Sequence, residues 1–215
     1  MAKVIIFIGG VSALPNSGRP TGMFKQQVSG PLELGPEGFI GDQQADRRVH
    51  GGPEKAVHLY PARHYRQLAE QFPDAKALLV PGTLGENLSV EDLDEAQVHI
   101  GDIWQLGNVL LQLCQPRNPC WKIDERLGVD GAAEYIAKHH LTGWYWRVVQ
   151  EGSASPDDAL ELHTRYPDSY SLLEAMTLWA EHRPDLGRLG KLAQSKGMAT
   201  HWQGKIQQRL DYLSK

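Results

Sequence analysis

The sequence predicts an α+β fold, with a mainly β body built as an antiparallel β-barrel and a small helical module behind it. Turn-forming residues are frequent, with 22 glycines and 13 prolines among 215 residues, and this implies many short strands. Short apolar segments between these turns fill the first 166 residues, as expected of an antiparallel barrel. Beyond Pro167 the apolar residues recur at helical spacing instead.

Each strand prediction depends on an apolar segment that turn formers bound. The first strand is predicted over Val4–Val11, where Gly9 and Gly10 interrupt the apolar residues. The pair Gly107 and Asn108 is typical of a two-residue hairpin between two strands. The remaining strands are predicted at residues 26–28, 87–90, 97–100, 103–106, 109–114, 144–150 and 159–166.

The helix predictions depend on capping residues and on apolar residues three and four positions apart. Pro61 suits the start of a helix over residues 62–72, and a second helix is predicted over residues 132–140. Both are expected to lie on the barrel. In the C-terminal region Ser171 and Glu174 form a capping-box pattern, and three helical stripes follow.

We therefore predict two domains, a barrel over residues 1–166 and a three-helix module over residues 167–215. The module carries seven basic and five acidic residues, whereas the barrel sequence is acidic. A separate unit of this charge suits a docking surface or a lid. We expect it to be needed for turnover but not for ligand binding in the barrel.

Composition excludes several classes of protein. Cys114 and Cys120 are too few for a disulfide framework. The apolar residues Val4–Ile8 are too few for a signal peptide or a membrane span, so we expect a cytoplasmic protein without a membrane partner. The net charge of −4 disfavours nucleic-acid binding through bulk charge, and any anion site must therefore be local.

The segment from Asp46 to His58 is basic and contains a Gly51-Gly52 turn. Glycine lets the backbone approach a ligand closely, and Arg48, His50 and Lys55 flank the turn with donors that an oxyanion needs. The alternative is a solvated basic loop with a structural turn, because no strict phosphate-loop or dinucleotide motif is present. These residues alone leave both interpretations open.

A second candidate stretch, Gln115–Cys120, follows directly on a predicted strand. Cys120 lies three residues beyond Arg117 and directly after a rigid proline, and a thiolate is both a nucleophile and a soft metal ligand. A structural role for Cys120 stays open. Cys114, at the end of an apolar strand, is interpreted as a small buried hydrophobe.

The remaining polar candidates have ordinary structural explanations. Asn87 lies at the start of a predicted strand after a glycine turn, where its side chain either binds a ligand or stabilises the turn. Nine histidines are present, but neither a His-Glu-x-x-His nor a Cys-x-x-Cys motif occurs, so a zinc site is not expected. We assign the other histidines to the surface or the core, among them His58, His64, His139 and His140.

Taken in order, these stretches resemble the MOSC domain, the family named after the C-terminal part of molybdenum-cofactor sulfurases. The matching segments are Gly41–Asp46, His50–Val57, Gly85–Leu88, Gly101-Asp102 and Gln115–Cys120. The resemblance implies a β-barrel that binds molybdenum cofactor (molybdopterin), with Cys120 as both metal ligand and catalytic residue. The cofactor-binding residues that it implies are Arg48, His50, Gly51, Gly52, Lys55, Asn87, Gln115, Arg117 and Asn118. At the last of these the resemblance leads us to expect a small residue such as serine.

The resemblance further implies an oxidoreductase that reduces N-hydroxylated compounds, such as hydroxylamino purines, to amines. An external electron-donating reductase is then needed as a partner, because the sequence has no flavin or NAD fingerprint and too few cysteines for an iron–sulfur cluster. Pyridoxal phosphate is not expected. Two alternatives stay open: a non-enzymatic carrier of molybdenum cofactor, and a sulfur transferase in which Cys120 holds a persulfide.

Overall fold

A closed ring of seven strands forms the body of the protein in a computed structural model that describes residues 2–215. The strands are β1 (Ala2–Ile8), β2 (Ser12–Ala13), β3 (Pro20–Thr21), β4 (Gln26–Gln27), β5 (Leu32–Gly35), β6 (Gly38–Phe39), β7 (Val57–Pro61), β8 (Leu88–Val90), β9 (Ile103–Leu106), β10 (Val109–Pro116), β11 (Trp144–Gln150), β12 (Gly152–Ala154) and β13 (Ala159–Thr164). The helices are α1 (Arg47–His50), α2 (Ala62–Gln71), α3 (Lys122–Leu127), α4 (Ala132–Lys138), α5 (Leu172–Ala180), α6 (Leu186–Ala193) and α7 (Thr200–Leu213), with 3-10 helices at Pro53–Lys55 and Pro73–Leu78.

The ring runs β1, β13, β9, β10, β11, β7, β8 and back to β1, and β4 extends it beside β1. Six of these seven pairs are antiparallel, while β7 and β8 are parallel. The parallel pair exists because the chain between them crosses over through α2, and parallel strands need such a long connection. The predicted α+β fold with a barrel core is thus confirmed, and the barrel is mixed in this one pair.

Two hydrophobic clusters hold the elements together. The barrel cluster contains the fully buried Trp144 and Trp146 of β11 and extends into the C-terminal helices through Leu189 and Ile206. A second one, the helical cluster, lies between α2, α3 and α4 and includes Ile123.

The C-terminal helices α5–α7 occur where the apolar stripes predict them. The capping box forms, since the Ser171 side chain accepts from the Glu174 backbone and the Glu174 carboxylate accepts from the Ser171 backbone. Because these helices share the barrel cluster, residues 167–215 pack against the barrel. Their division from residues 1–166 as a separate domain stays a prediction. None of the helices within residues 2–215 has both the length and the apolar character that a membrane span needs.

Some local predictions differ from the structure. Residues 97–100 form a turn with a single bridge from His99 to Ser171, because Val98 and Ile100 are buried against the C-terminal helices rather than paired in the sheet. Their apolar pattern therefore reports burial and not a strand. The first strand ends before Gly9, where a side chain would lie 2.8 Å from a backbone carbonyl.

Candidate functional site

A half-open cavity lies where the loop after β3, the α1 loop, the start of β8 and the loop after β10 meet. Its interior measures about 70 Å³. The residues that line it are Thr21, Gly22, Met23, Lys25, Asp42, Gln43, Gln44, Ala45, His50, Lys55, His58, Leu84, Gly85, Asn87, Arg117, Cys120, Lys122 and Tyr145. Three separate stretches of the sequence analysis therefore contribute to one cavity.

Arg117 is the most informative residue of the lining. It is only 8% exposed, its backbone N–H donates to the Gly143 carbonyl at 3.1 Å, and it lines the cavity. No carboxylate between residues 2 and 215 forms an ion pair with it. A buried cation without a counter-ion is costly, so the cavity favours an anionic ligand.

Other cationic groups face the same space. Lys122 donates to the Pro20 carbonyl at 2.8 Å, and Lys55 donates to the Val49 carbonyl. Burial lowers the pKa of His50, and the positive charges of Arg117, Lys122 and Lys55 lower it further. The imidazole is therefore disposed to stay neutral, and the surrounding potential is positive.

A buried lysine of the lining is paired with a carboxylate. The Lys25 ammonium contacts the Asp42 carboxylate, and their side chains are 5% and 2% exposed. Asp42 also accepts from the Asn87 side-chain amide at 2.9 Å and from the Gly9 backbone at 2.9 Å. Burial lowers the pKa of Lys25, although the neighbouring carboxylate of Asp42 opposes that shift.

Sequence reasoning missed Lys25, because it lies in a turn-rich segment that matches no motif. Asp42 belongs to the Gly41–Asp46 segment but carried no role there. Asn87 was a candidate, and the structure explains its position: its side-chain oxygen accepts from the His58 backbone at 3.1 Å. Most of the Asn87 amide is thus occupied by protein, and it holds Asp42 in the wall of the cavity.

His58 is buried, as the core interpretation expects, yet it also lines the cavity. Burial lowers its pKa well below the ordinary value, and the charges of Arg117 and Lys25 lower it further. Its Nε2 has no hydrogen-bond partner within the part of the chain that the structure describes. A neutral imidazole therefore forms part of the wall beside two cations.

The two cysteines have different environments. Cys120 is half-buried and lines the cavity. Cys114 is fully buried, and its thiol contacts the Glu54 carbonyl at 3.0 Å and the Tyr145 carbonyl at 3.4 Å. Burial raises the pKa of Cys114 to about 12, so that thiol stays protonated and structural at neutral pH.

Some predicted site residues lie outside the lining. The Arg48 side chain is 89% exposed and pairs with Asp46 at 3.0 Å. Asn118 is exposed beside the cavity loop. Gln115 is buried, and its amide donates to the Glu54 carbonyl at 2.8 Å. It therefore anchors the basic loop, which is the segment from Asp46 to His58.

Gly51 and Gly52 shape the basic loop rather than line the cavity. A side chain at Gly51 would lie 3.0 Å from the Arg47 backbone, and Gly52 has a φ of +87° that favours glycine. The loop that results brings His50 and Lys55 to the cavity. The Gly-Gly pair therefore contributes through backbone geometry.

The barrel, with its cationic and thiol-bearing cavity, defines the class of protein. The family model of the MOSC domain matches residues 46–161, and the chain belongs to the MOSC domain family. Domains of this family in general bind molybdenum cofactor. The resemblance found in the sequence is thereby confirmed at the level of the family.

Individual relatives extend the match to nearly the whole chain. Protein YiiM of Escherichia coli strain K12 is 36% identical over 207 residues, which cover 96% of this chain and 91% of the relative. Its crystal structure aligns with a TM-score of 0.81 at 30% identity, over 97% of this chain and 92% of that chain. A reductase of Gibberella moniliformis is 32% identical over 80% of this chain, which corresponds to 31% of that longer protein.

The residues present fit the molybdenum cofactor. Its phosphate and pterin need charged donors, and the cavity holds Arg117, Lys55 and Lys122 without an excess of carboxylates. Its metal is soft enough for a thiolate, and Cys120 is the half-exposed thiol in the lining. Arg117, Lys55, Lys122 and Cys120 are therefore the residues that would hold the cofactor.

Proposed function

We propose that the protein is a molybdenum-cofactor-dependent oxidoreductase that reduces N-hydroxylated compounds, such as hydroxylamino purines, to amines. The observation that carries this proposal is the buried, unpaired Arg117 in the same cavity as the half-exposed thiol of Cys120. An anionic cofactor with a soft metal satisfies both groups at once. The name of the fungal relative, a reductase, supports reduction as the reaction type.

Cys120 supplies the protein ligand to molybdenum in this proposal. A thiolate is the form that binds metals, and no group of three or more His, Cys, Asp or Glu side chains within residues 2–215 offers another metal site. Cys120, as the thiol of the cavity lining, would be the protein ligand. When bound, the cofactor supplies two-electron redox chemistry at its metal.

The cationic side chains hold the anionic parts of the cofactor. Arg117, Lys55 and Lys122 provide charge-assisted donors, and neutral His50 provides a ring nitrogen. The other predicted residues have supporting roles. Gly51, Gly52 and Gln115 fix the loop, and Asn87 fixes Asp42. Arg48 and Asn118 act from the mouth of the cavity.

Reduction of an N-hydroxyl group to an amine consumes two electrons and two protons and releases water. Lys25 Nζ is the proton donor that we propose for the departing hydroxyl oxygen, because its burial favours release of a proton and Asp42 keeps it in place. His58 stays neutral and polar beside it. Electrons come from an external reductase.

The deciding experiment combines metal analysis with turnover. Protein from a molybdate-fed host is assayed for bound molybdenum and for reduction of a hydroxylamino purine with a chemical electron donor. Stoichiometric molybdenum with turnover supports the proposal. Molybdenum without turnover favours the carrier, and a persulfide on Cys120 without molybdenum favours the sulfur transferase.

A further inference from the structure

Glu54 connects the basic loop to the C-terminal helices. Its carboxylate accepts from the Thr200 backbone N–H at 2.9 and 3.1 Å and from the Thr200 hydroxyl at 3.0 Å. The same carboxylate pairs with Arg147 of β11 at 2.8 Å. Thr200 is the first residue of α7, so one side chain joins the loop, the barrel and the helix.

The contact satisfies a need of α7 itself. A helix begins with backbone N–H groups that have no partner within the helix, and a carboxylate there is also favoured by the helix dipole. Ala199, which precedes the helix, has no side chain that caps it. Glu54 is 146 residues away in sequence, and it supplies that cap.

The backbone carbonyl of Glu54 is also held by polar contacts. Its carbonyl accepts from the Gln115 amide at 2.8 Å and contacts the Cys114 thiol at 3.0 Å. The next residue is Lys55, which lines the cavity. Lys205 of α7 contributes to the lowered pKa of Lys55, after burial, so the helix also adds positive charge to this region.

We propose that Glu54 is a positioning residue through which the C-terminal helices control retention of the ligand in the cavity. With the carboxylate held by Thr200 and Arg147, the loop keeps Lys55 directed at the cavity. The inference rests on the proposed function, because the ligand retained is the molybdenum cofactor. It differs from the expectation that the module is dispensable for ligand binding, and that expectation stays a prediction.

Two variants break this connection in different ways. Glu54→Gln removes the charge and keeps the shape. Thr200→Pro removes both donors, while proline suits the first position of a helix and the extended Ala199 before it is compatible with proline. Since each variant loses charge-assisted contacts of Glu54, molybdenum retained after gel filtration should fall by about tenfold.

A second readout does not depend on the cofactor. In cofactor-free protein, hydrogen–deuterium exchange of peptides covering residues 50–56 should rise in both variants. Thr200→Ser, which keeps both donors, should match the wild type in retention and exchange. Glu161→Gln, at an exposed glutamate of β13, is the matched control for loss of one charge.

Leu210→Ala distinguishes positioning from general destabilisation. Leu210 packs half-buried against the core from α7, ten residues along that helix from Thr200. If retention follows the melting temperature equally in Leu210→Ala and Glu54→Gln, the inference is overturned. It is also overturned if Glu54→Gln and Thr200→Pro keep wild-type retention and wild-type exchange, whereas a wild type that never carries molybdenum instead contradicts the proposed function.

Discussion

Lys25 and Arg117 are two buried cations of one cavity, and the protein treats them in opposite ways. Lys25 is paired with Asp42, which is itself held by Asn87. Arg117 has no carboxylate ion-pair partner within residues 2–215 and lines the same cavity as Cys120. The comparison teaches that Lys25 has a carboxylate in direct contact and Arg117 does not, so a ligand's negative charge is favoured beside Arg117.

The largest effect is expected at the Cys120 thiol, which lines the cavity together with Arg117. Cys120→Ser replaces a soft ligand by a harder one, so reduction of a hydroxylamino purine, normalised to bound pterin, should be abolished. Cys114→Ala is the matched control, because it removes a buried sulfur that does not line the cavity. An active Cys120→Ser enzyme beside a folded but inactive Cys114→Ala enzyme would exchange the two assignments.

Loss of the Lys25–Asp42 ion pair should lower the stability of the protein rather than ligand binding. Asp42→Asn leaves Lys25 buried without its counter-ion, and such a loss costs about 3 to 5 kcal/mol of unfolding free energy. Lys25→Met together with Asp42→Asn removes the orphaned charge and should recover part of that loss. Urea denaturation of the single and double variants checks this, and an additive double variant would show that the pair is not coupled.

Arg117→Gln tests directly whether the Arg117 charge holds an anionic ligand. Without a cofactor, the variant should be as stable as the wild type or more stable, because it removes a buried charge that has no carboxylate partner within residues 2–215. With a cofactor, loss of a charge-assisted contact of about 1.5 to 3 kcal/mol should lower occupancy by tenfold or more. Molybdenum content and denaturation midpoints are measured together. A destabilised but fully loaded variant contradicts the assignment.

The smallest effect concerns Glu86, whose charge acts on both cations. Burial raises its pKa, while hydrogen bonds from the Gly82 backbone at 2.6 Å and the Tyr65 hydroxyl at 2.7 Å oppose the shift. The folded state therefore binds the proton more tightly than the unfolded state. Stability should decline as pH rises from the ordinary glutamate pKa to the raised one.

Glu86→Gln removes that titration, so the decline should disappear in the variant. Denaturation midpoints from pH 4 to pH 8 on the wild type and the variant provide the measurement. An identical slope in both proteins would assign the pH dependence to other groups. A missing slope in the wild type would instead show that the charges of Lys25 and Arg117 offset the effect of burial on the Glu86 pKa.

Local pattern predicted the parts of the site that are local. Arg117 and Cys120 lie three residues apart after a strand, so their spacing alone predicts that they are neighbours. Lys25 and Asp42 are joined across 17 residues, and Glu54 and Thr200 across 146 residues. Such pairs depend on how the elements pack, and no spacing in the sequence reports them. The strand prediction at residues 97–100 was wrong for a related reason. Val98 and Ile100 are buried through packing, and their alternation is the same as that of a half-buried strand.

The two hydrophobic clusters imply that heat will not affect the whole molecule at once. Cys120 leads directly into α3, and Ile123 and Leu127 of that helix are buried in the helical cluster and not in the barrel cluster. A small cluster of this kind opens at a lower free energy than a closed barrel. On warming, the thiol should therefore detach from its position while the barrel is still folded, and inactivation would begin as local melting around α3.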